Sequence, residues 1–273
     1  MSEAPFPRVR ALMVKETAEL RAAPGVLVTP LLMLLTAVAL PFVIVVGVPA
    51  WTGEALGGAD DLVELARELA PLVPAVTALT ADGAVQAFVL QQFLPLLVLV
   101  PVIGAMTLVT TSVVGEKQAR SLEPLLATPI TTAELLAAKT GVALLVSLAL
   151  LSAGFAVLLG AAAAFAEPGV AATLLTPRPL ALVGALAPAV AAVALVLGVM
   201  ASSRTRDART AQQFGGLVVL PIMALFVGQL GGHLLLSTGW ILTAAALLWL
   251  LSVLLAAVGV RVFDREHILT RWT

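Results

Sequence analysis

Residues 22–53, 83–115, 140–166, 179–203 and 210–260 of this chain contain no Asp, Glu, Lys or Arg. Each stretch exceeds the roughly 20 apolar residues that carry a helix across a bilayer. The last is long enough for two crossings. It breaks at Gly228, Gly231, Gly232, His233, Ser237 and Gly239, a turn-rich and weakly polar run. The pattern predicts six helices, near 26–50, 88–114, 140–165, 181–202, 214–232 and 240–261. Hydrocarbon cannot satisfy exposed backbone groups, and these segments are too long for barrel strands, so the expected fold is an all-α integral membrane protein. Composition agrees. Only 11% of the 273 residues are charged, against about 25% in average soluble chains.

Basic residues predict the orientation. One side would hold Arg8, Arg10, Lys15 and Arg21, then Lys117, Arg120 and Lys139, then Arg204, Arg206 and Arg209, and finally Arg261, Arg265 and Arg271. The other side would hold Arg67 and Arg178. The positive-inside rule then puts both termini in the cytoplasm. The first apolar segment is longer than the about 7–15 residues of a signal-peptide core, so it is expected to be retained as a span.

Several function classes are disfavoured. With a net charge of −1 the chain has no bulk basic field for nucleic acid. It has no cysteine, hence no disulfide framework, Cys-ligated zinc or thiol chemistry. Lys139-Thr140 resembles the end of a phosphate loop, but alanines stand at positions 133 and 138 where that loop needs glycines. His233 and His267 fall on opposite predicted sides, and Ser237 lacks a Gly-x-Ser-x-Gly context. No catalytic machinery or cofactor site is expected in the chain itself. No ionisable residue sits centrally in a predicted span, which argues against a proton-driven carrier. Sodium coupling through backbone carbonyls stays open.

Polar residues inside the spans are few. Gln91, Gln92, Thr110 and Gln229 are candidates to line a pathway. Interhelical hydrogen bonding, or solvation near the span ends, accounts for them more simply. Residues 8–23 predict an amphipathic helix at the inner interface, with Val9, Leu12, Met13 and Leu20 on one side and Lys15 four residues before Glu19. Residues 51–87 form an acidic outer loop with a short predicted helix. There Asp61 and Glu64 would make a capping box, and Leu62, Leu65 and Leu69 an apolar face. The loop's acidity fits a cation-collecting vestibule, but plain topology and solubility account for it better.

The segment 115–139, GEKQARSLEPLLATPITTAELLAAK, is the densest interruption of the apolar pattern. Pro124 would break a helix running through from Glu116. With Ser121 as N-cap, Pro124 instead occupies the first turn of a short helix that ends at Thr128-Pro129. Leu122, Leu125 and Leu126 then form its apolar face, and Glu123 meets its positive end. Thr131 and Glu134 predict a capping box that launches the third span. Such a helix could rest on lipid or enter a partner's groove.

This segment resembles the loop after the second span of ABC-2-type permeases, the membrane subunits of ATP-binding-cassette exporters. The family pattern is approximately E-K-E-x-G-T-L-E-x-L-L-[AV]-[TS]-P. Glu116, Lys117, Leu122, Glu123, Leu125, Leu126, Ala127, Thr128 and Pro129 match it, and Ser121 replaces Thr. Gln118 and Arg120 depart from the second Glu and the frequent Gly. The resemblance implies one transmembrane domain over 1–273, with an interfacial helix at 8–23, an outer loop at 51–87 and a cytoplasmic coupling loop at 115–139. It implies a multi-pass permease of a bacterial or archaeal cytoplasmic membrane that dimerises with a second copy or a paralogue. A separately encoded ATPase, which itself binds ATP and Mg, would dock on the loop. Glu116, Lys117, Leu122, Glu123, Leu125, Leu126, Thr128 and Pro129 would couple it to the spans, the leucines by packing, and Glu116, Lys117 and Glu123 by polar contact or by orienting the helix. The cargo would be Na⁺, a drug or peptide, or a lipid-linked molecule. A membrane scaffold that recruits a cytoplasmic partner, and a sodium-coupled secondary carrier, are the competing readings.

Overall fold

A computed structural model describes residues 5–118, 131–204, 208–213, 216–230 and 236–262. The described residues are almost wholly helical and include no strand. We label the longer helices α1 (Pro5–Ala22), α2 (Pro24–Thr52), α3 (Asp60–Leu69), α4 (Ala81–Gln92), α5 (Leu94–Gln118), α6 (Thr132–Phe165), α7 (Pro177–Ser202), α8 (Gly216–Leu230) and α9 (Thr238–Val262). Five segments are long and apolar enough to cross a membrane: α2, α4–α5 together, α6, α7 and α9. Within the predicted segment 214–232 the described residues form one apolar helix, α8. Among the described residues the expected six spans appear as these five segments and α8.

The second span starts earlier than expected. Thr80 caps α4, accepting a hydrogen bond from the Gly83 N–H. The helix breaks at Phe93, because Pro95 has no N–H to continue the ladder and fits only the first turn of a new helix, α5. The Phe93 ring meets Phe226 of α8 edge to face, centroids 5.5 Å apart.

This broken span is the axis of the bundle. Its apolar window is 94% buried, against 17% in α2 and in α9. Leu31, Leu32 and Leu35 of α2 and Leu247, Leu250 and Leu254 of α9 stay exposed, and such faces belong against lipid. Helix α7 lies close to α5 because Gly198 has no side chain. A Cβ there would stand 2.7 Å from a Val109 methyl and 2.9 Å from the Met106 sulfur.

The loop 51–87 packs on the head of α4. Ala66 and Leu69 of α3 are buried, with Leu62 and Leu65 packed beside them, so the expected apolar face is present. The expected Asp61–Glu64 capping box is not. Helix α3 already begins at Asp60, its N-cap is Ala59, and no side chain caps it. Asp60 and Asp61 both lie in the first turn, where their charges face the positive helix end. Gly57 passes so close to the Asp82 N–H, 2.7 Å from where a Cβ would be, that a side chain has no room. Asp82 accepts the Gly57 N–H at 2.9 Å.

Helix α1 has the apolar face read from its sequence. Leu12 is buried with Leu135 and Ala138 of α6, flanked by Val9 and Met13. Its partner is thus the third span itself.

Candidate functional site

Where α1, the end of α5 and the start of α6 meet, the chain buries opposite charges together. Lys139 is 4% exposed, Glu116 5% and Glu16 7%. The Lys139 ammonium donates to Glu16 Oε1 at 2.6 Å and to Ser112 Oγ at 2.7 Å, and stands 3.0 Å from Glu116 Oε2. The Ser112 hydroxyl donates onward to Glu16 Oε2 at 2.7 Å. At the rim, Lys15 donates to Glu116 Oε1 at 2.6 Å and pairs with Glu19 at 3.3 Å. Burial alone would lower the pKa of Lys15. The hydrogen bond and attraction of Glu116, with a smaller pull from Glu19, outweigh it and hold the ammonium above its ordinary value.

Sequence accounts for each position. Lys15 and Glu19 are one helical turn apart on the polar side of α1. Glu116 ends the charge-free run of α5, and Lys139 ends the polar first turns of α6. Helix α6 starts at the capping box expected from sequence. Thr131 Oγ1 accepts the Glu134 N–H at 3.2 Å, and Glu134 Oε2 accepts the Thr131 N–H at 2.7 Å. Oxygens of Glu16, Glu19 and Glu116 come within 4.8 Å of one another, a spacing that suits a cation. The chain supplies that cation itself, as the two lysine ammoniums. A cavity of about 310 Å³ adjoins the cluster, walled also by Leu108, Thr111 and Val142.

This charged knot brackets the predicted coupling segment. Glu116 lies just before it and Lys139 shortly after it, and both are tied to α1. Of the residues expected to contact an ATPase, Glu116 has its carboxylate inside the cluster. Lys117 lies in the last turn of α5, and its side chain is outside the described residues. Leu122, Glu123, Leu125, Leu126, Thr128 and Pro129 also lie outside them.

A second polar network occupies the opposite end of the bundle. Gln86 Nε2 donates to Asp82 at 3.1 Å, and Gln86 Oε1 accepts the Glu167 N–H at 2.8 Å. The Glu167 carboxylate accepts from the Thr80 hydroxyl. Deeper down, Arg178 is 1% exposed and donates from Nη1 to Gln91 Oε1 at 2.9 Å and from Nε to the Leu236 carbonyl at 3.0 Å. Gln91 in turn donates to the Thr173 carbonyl at 3.4 Å. Gln91 and Gln92 are each 1% exposed. Thr110 is fully buried and donates to the Met106 carbonyl of its own helix at 2.7 Å. The side chain of Gln229 lies outside the described residues. The structure thus joins Gln91 to a residue that the charge count assigned only to topology.

A family model described as ABC-2 family transporter protein matches residues 64–254. The chain belongs to the ABC-2 transporter family. No curated protein and no solved structure gives a significant match. In this ABC-2-type permease the matched region runs from α3 into α9 and contains Ser112, Glu116, Lys139 and Arg178. Helix α1, which supplies Lys15, Glu16 and Glu19, precedes it. The ionic cluster therefore ties the permease's family-matched body to the helix in front of it.

Proposed function

We propose that the chain is the permease subunit of an ATP-driven exporter in a cytoplasmic membrane, with both termini in the cytoplasm. A separately encoded cassette ATPase docks on the 115–139 loop, and a second permease copy or paralogue completes the membrane unit. ATP and Mg bind to the ATPase. The observation that carries this reading is the buried cluster at the two ends of that loop. A loop that transmits force needs stiff anchors, and Lys139 links the exit of α5, the entry of α6 and α1 through bonds of 2.6–3.0 Å. Such a fully engaged charged network resists relative movement of its members. Glu116 then orients the loop, and Leu122, Leu125 and Leu126 present the apolar contact.

The test is to seek a cassette ATPase in a neighbouring reading frame, co-purify it with this chain, and measure ATP hydrolysis in lipid. Leu125→Asp is expected to abolish assembly or to lower permease-dependent hydrolysis at least about tenfold, since a buried contact loses more than 1.4 kcal/mol. The variant should still insert. Wild-type assembly and hydrolysis in Leu125→Asp would remove the docking assignment. A partner that binds the loop and hydrolyses no ATP would favour the scaffold reading.

A further inference from the structure

The exporter reading makes no use of Arg178. Its Nη2 is buried and has no hydrogen-bond partner among the described residues. None of the carboxylates among those residues forms an ion pair with it. A buried charge without a counter-charge is costly, and ionisable groups inside membrane proteins mark substrate paths. A guanidinium with a free edge is built to take a planar or tetrahedral oxyanion.

A separate observation shows what would accompany that oxyanion. A cavity of about 360 Å³ lies between α5, α7, α8 and α9, and every described residue lining it is apolar. Its volume falls in the about 300–1,000 Å³ range of ligand pockets. Arg178 does not itself line it, but three links bring the arginine's helix and its hydrogen-bond partners to the cavity wall. Leu236, whose carbonyl accepts from Arg178, lines the cavity. So does Leu182, one turn after Arg178. So does Pro95, just past the Phe93 break that follows Gln91, the other acceptor. Helix α7 opens into a π turn at Leu182–Leu186, and both terminal leucines of that turn face the cavity. Such single π turns recur at ligand sites.

We propose that Arg178 and this cavity bind an anionic amphiphile: a carboxylate or phosphate on the guanidinium, and a linear alkyl chain in the cavity. Its assignment as the exported cargo rests on the exporter reading. The site selects against cations, in contrast to the acidic surface of the 51–87 loop.

The experiment uses the full chain in zwitterionic phosphatidylcholine nanodiscs, with tritiated dodecanoate as the probe. Dodecanoate should bind saturably, and dodecyl phosphate should displace it. Dodecyltrimethylammonium should compete at least about tenfold more weakly. Arg178→Gln should weaken dodecanoate at least about tenfold and leave the cation unchanged. Val190→Phe, which narrows the cavity and keeps the arginine, should weaken both, and it carries the test if Arg178→Gln does not fold. Equal binding of anion and cation, or unchanged dodecanoate binding in either folded variant, overturns the site. In the complex with the ATPase, dodecanoate should stimulate hydrolysis by the wild type and not by Arg178→Gln. Binding without stimulation overturns the cargo assignment and identifies a resident bilayer lipid. The binding arm needs no ATPase, so loss of the exporter reading and loss of the site are read separately.

Discussion

Two cations are buried at opposite ends of the same central span, and they are treated in opposite ways. Lys139 is 4% exposed and has two carboxylates and a hydroxyl within 3.0 Å. Arg178 is 1% exposed and has a side-chain amide and a backbone carbonyl. Both pay for leaving water. Lys139 recovers that cost from fixed anions of the chain itself. Arg178 recovers only part of it. A paired buried charge is a fastener, whereas a buried charge short of its partner is set to receive one. The contrast divides the molecule into an end built to hold shape and an end built to bind.

The largest effect that can break this comparison comes from Lys139→Met. Glu16 and Glu116 would remain buried without their shared cation, and removal of one partner of a buried pair costs about 3–5 kcal/mol. We expect a large fall in thermal unfolding temperature in detergent, with loss of monodisperse protein on size exclusion. Adding Glu16→Gln to Lys139→Met should restore part of the loss, because that pair is then removed together, whereas Glu116 keeps Lys15. A near-native melting temperature for Lys139→Met would show that the cluster is not a fastener.

Arg178→Met makes the complementary statement. No anion is stranded by it, and the several kcal/mol of desolvation are returned. Two hydrogen bonds from a charged donor are lost, each worth about 1.5–3 kcal/mol net. The terms nearly cancel, so the melting temperature should move little, by the equivalent of about 1 kcal/mol in either direction. A loss as large as that of Lys139→Met would make Arg178 a second structural fastener.

What could be read from the sequence follows from the reach of each interaction. Charge-free runs located the five membrane-length segments among the described residues, because the bilayer constraint acts on contiguous residues. The Thr131–Glu134 cap and the Lys15–Glu19 pair are local, with spacings of three and four residues, and both formed as expected. The links that build the sites are not local. Lys139 and Glu16 are 123 residues apart, Lys15 and Glu116 are 101, and Arg178 and Gln91 are 87. Nothing in periodicity or spacing couples such positions. One signal for Arg178 was present, since Pro177 and Pro179 flank it. Prolines suit the first turn of a helix, which places the arginine inside α7 and not in a loop.

Lys15 offers the finest adjustment of the comparison, at the exposed edge of the paired cluster. Its side chain is 37% exposed, so solvent screening keeps the pair's contribution below about 1 kcal/mol. The sign of its pH dependence follows from the raised pKa. A group whose pKa is higher folded than unfolded lends stability below its ordinary value, here 10.5, and loses it as pH climbs through the raised one. Wild type and Lys15→Met should therefore differ by a small constant amount in melting temperature from pH 7 to about 10, with the wild type higher. The gap should begin to shrink above about pH 10.5 and close only past the raised folded-state value, where the ammonium deprotonates in both states. A gap that instead closes on acidification would place the linkage on Glu19 or Glu116. The rim lysine would then be a spectator of the cluster and not one of its members.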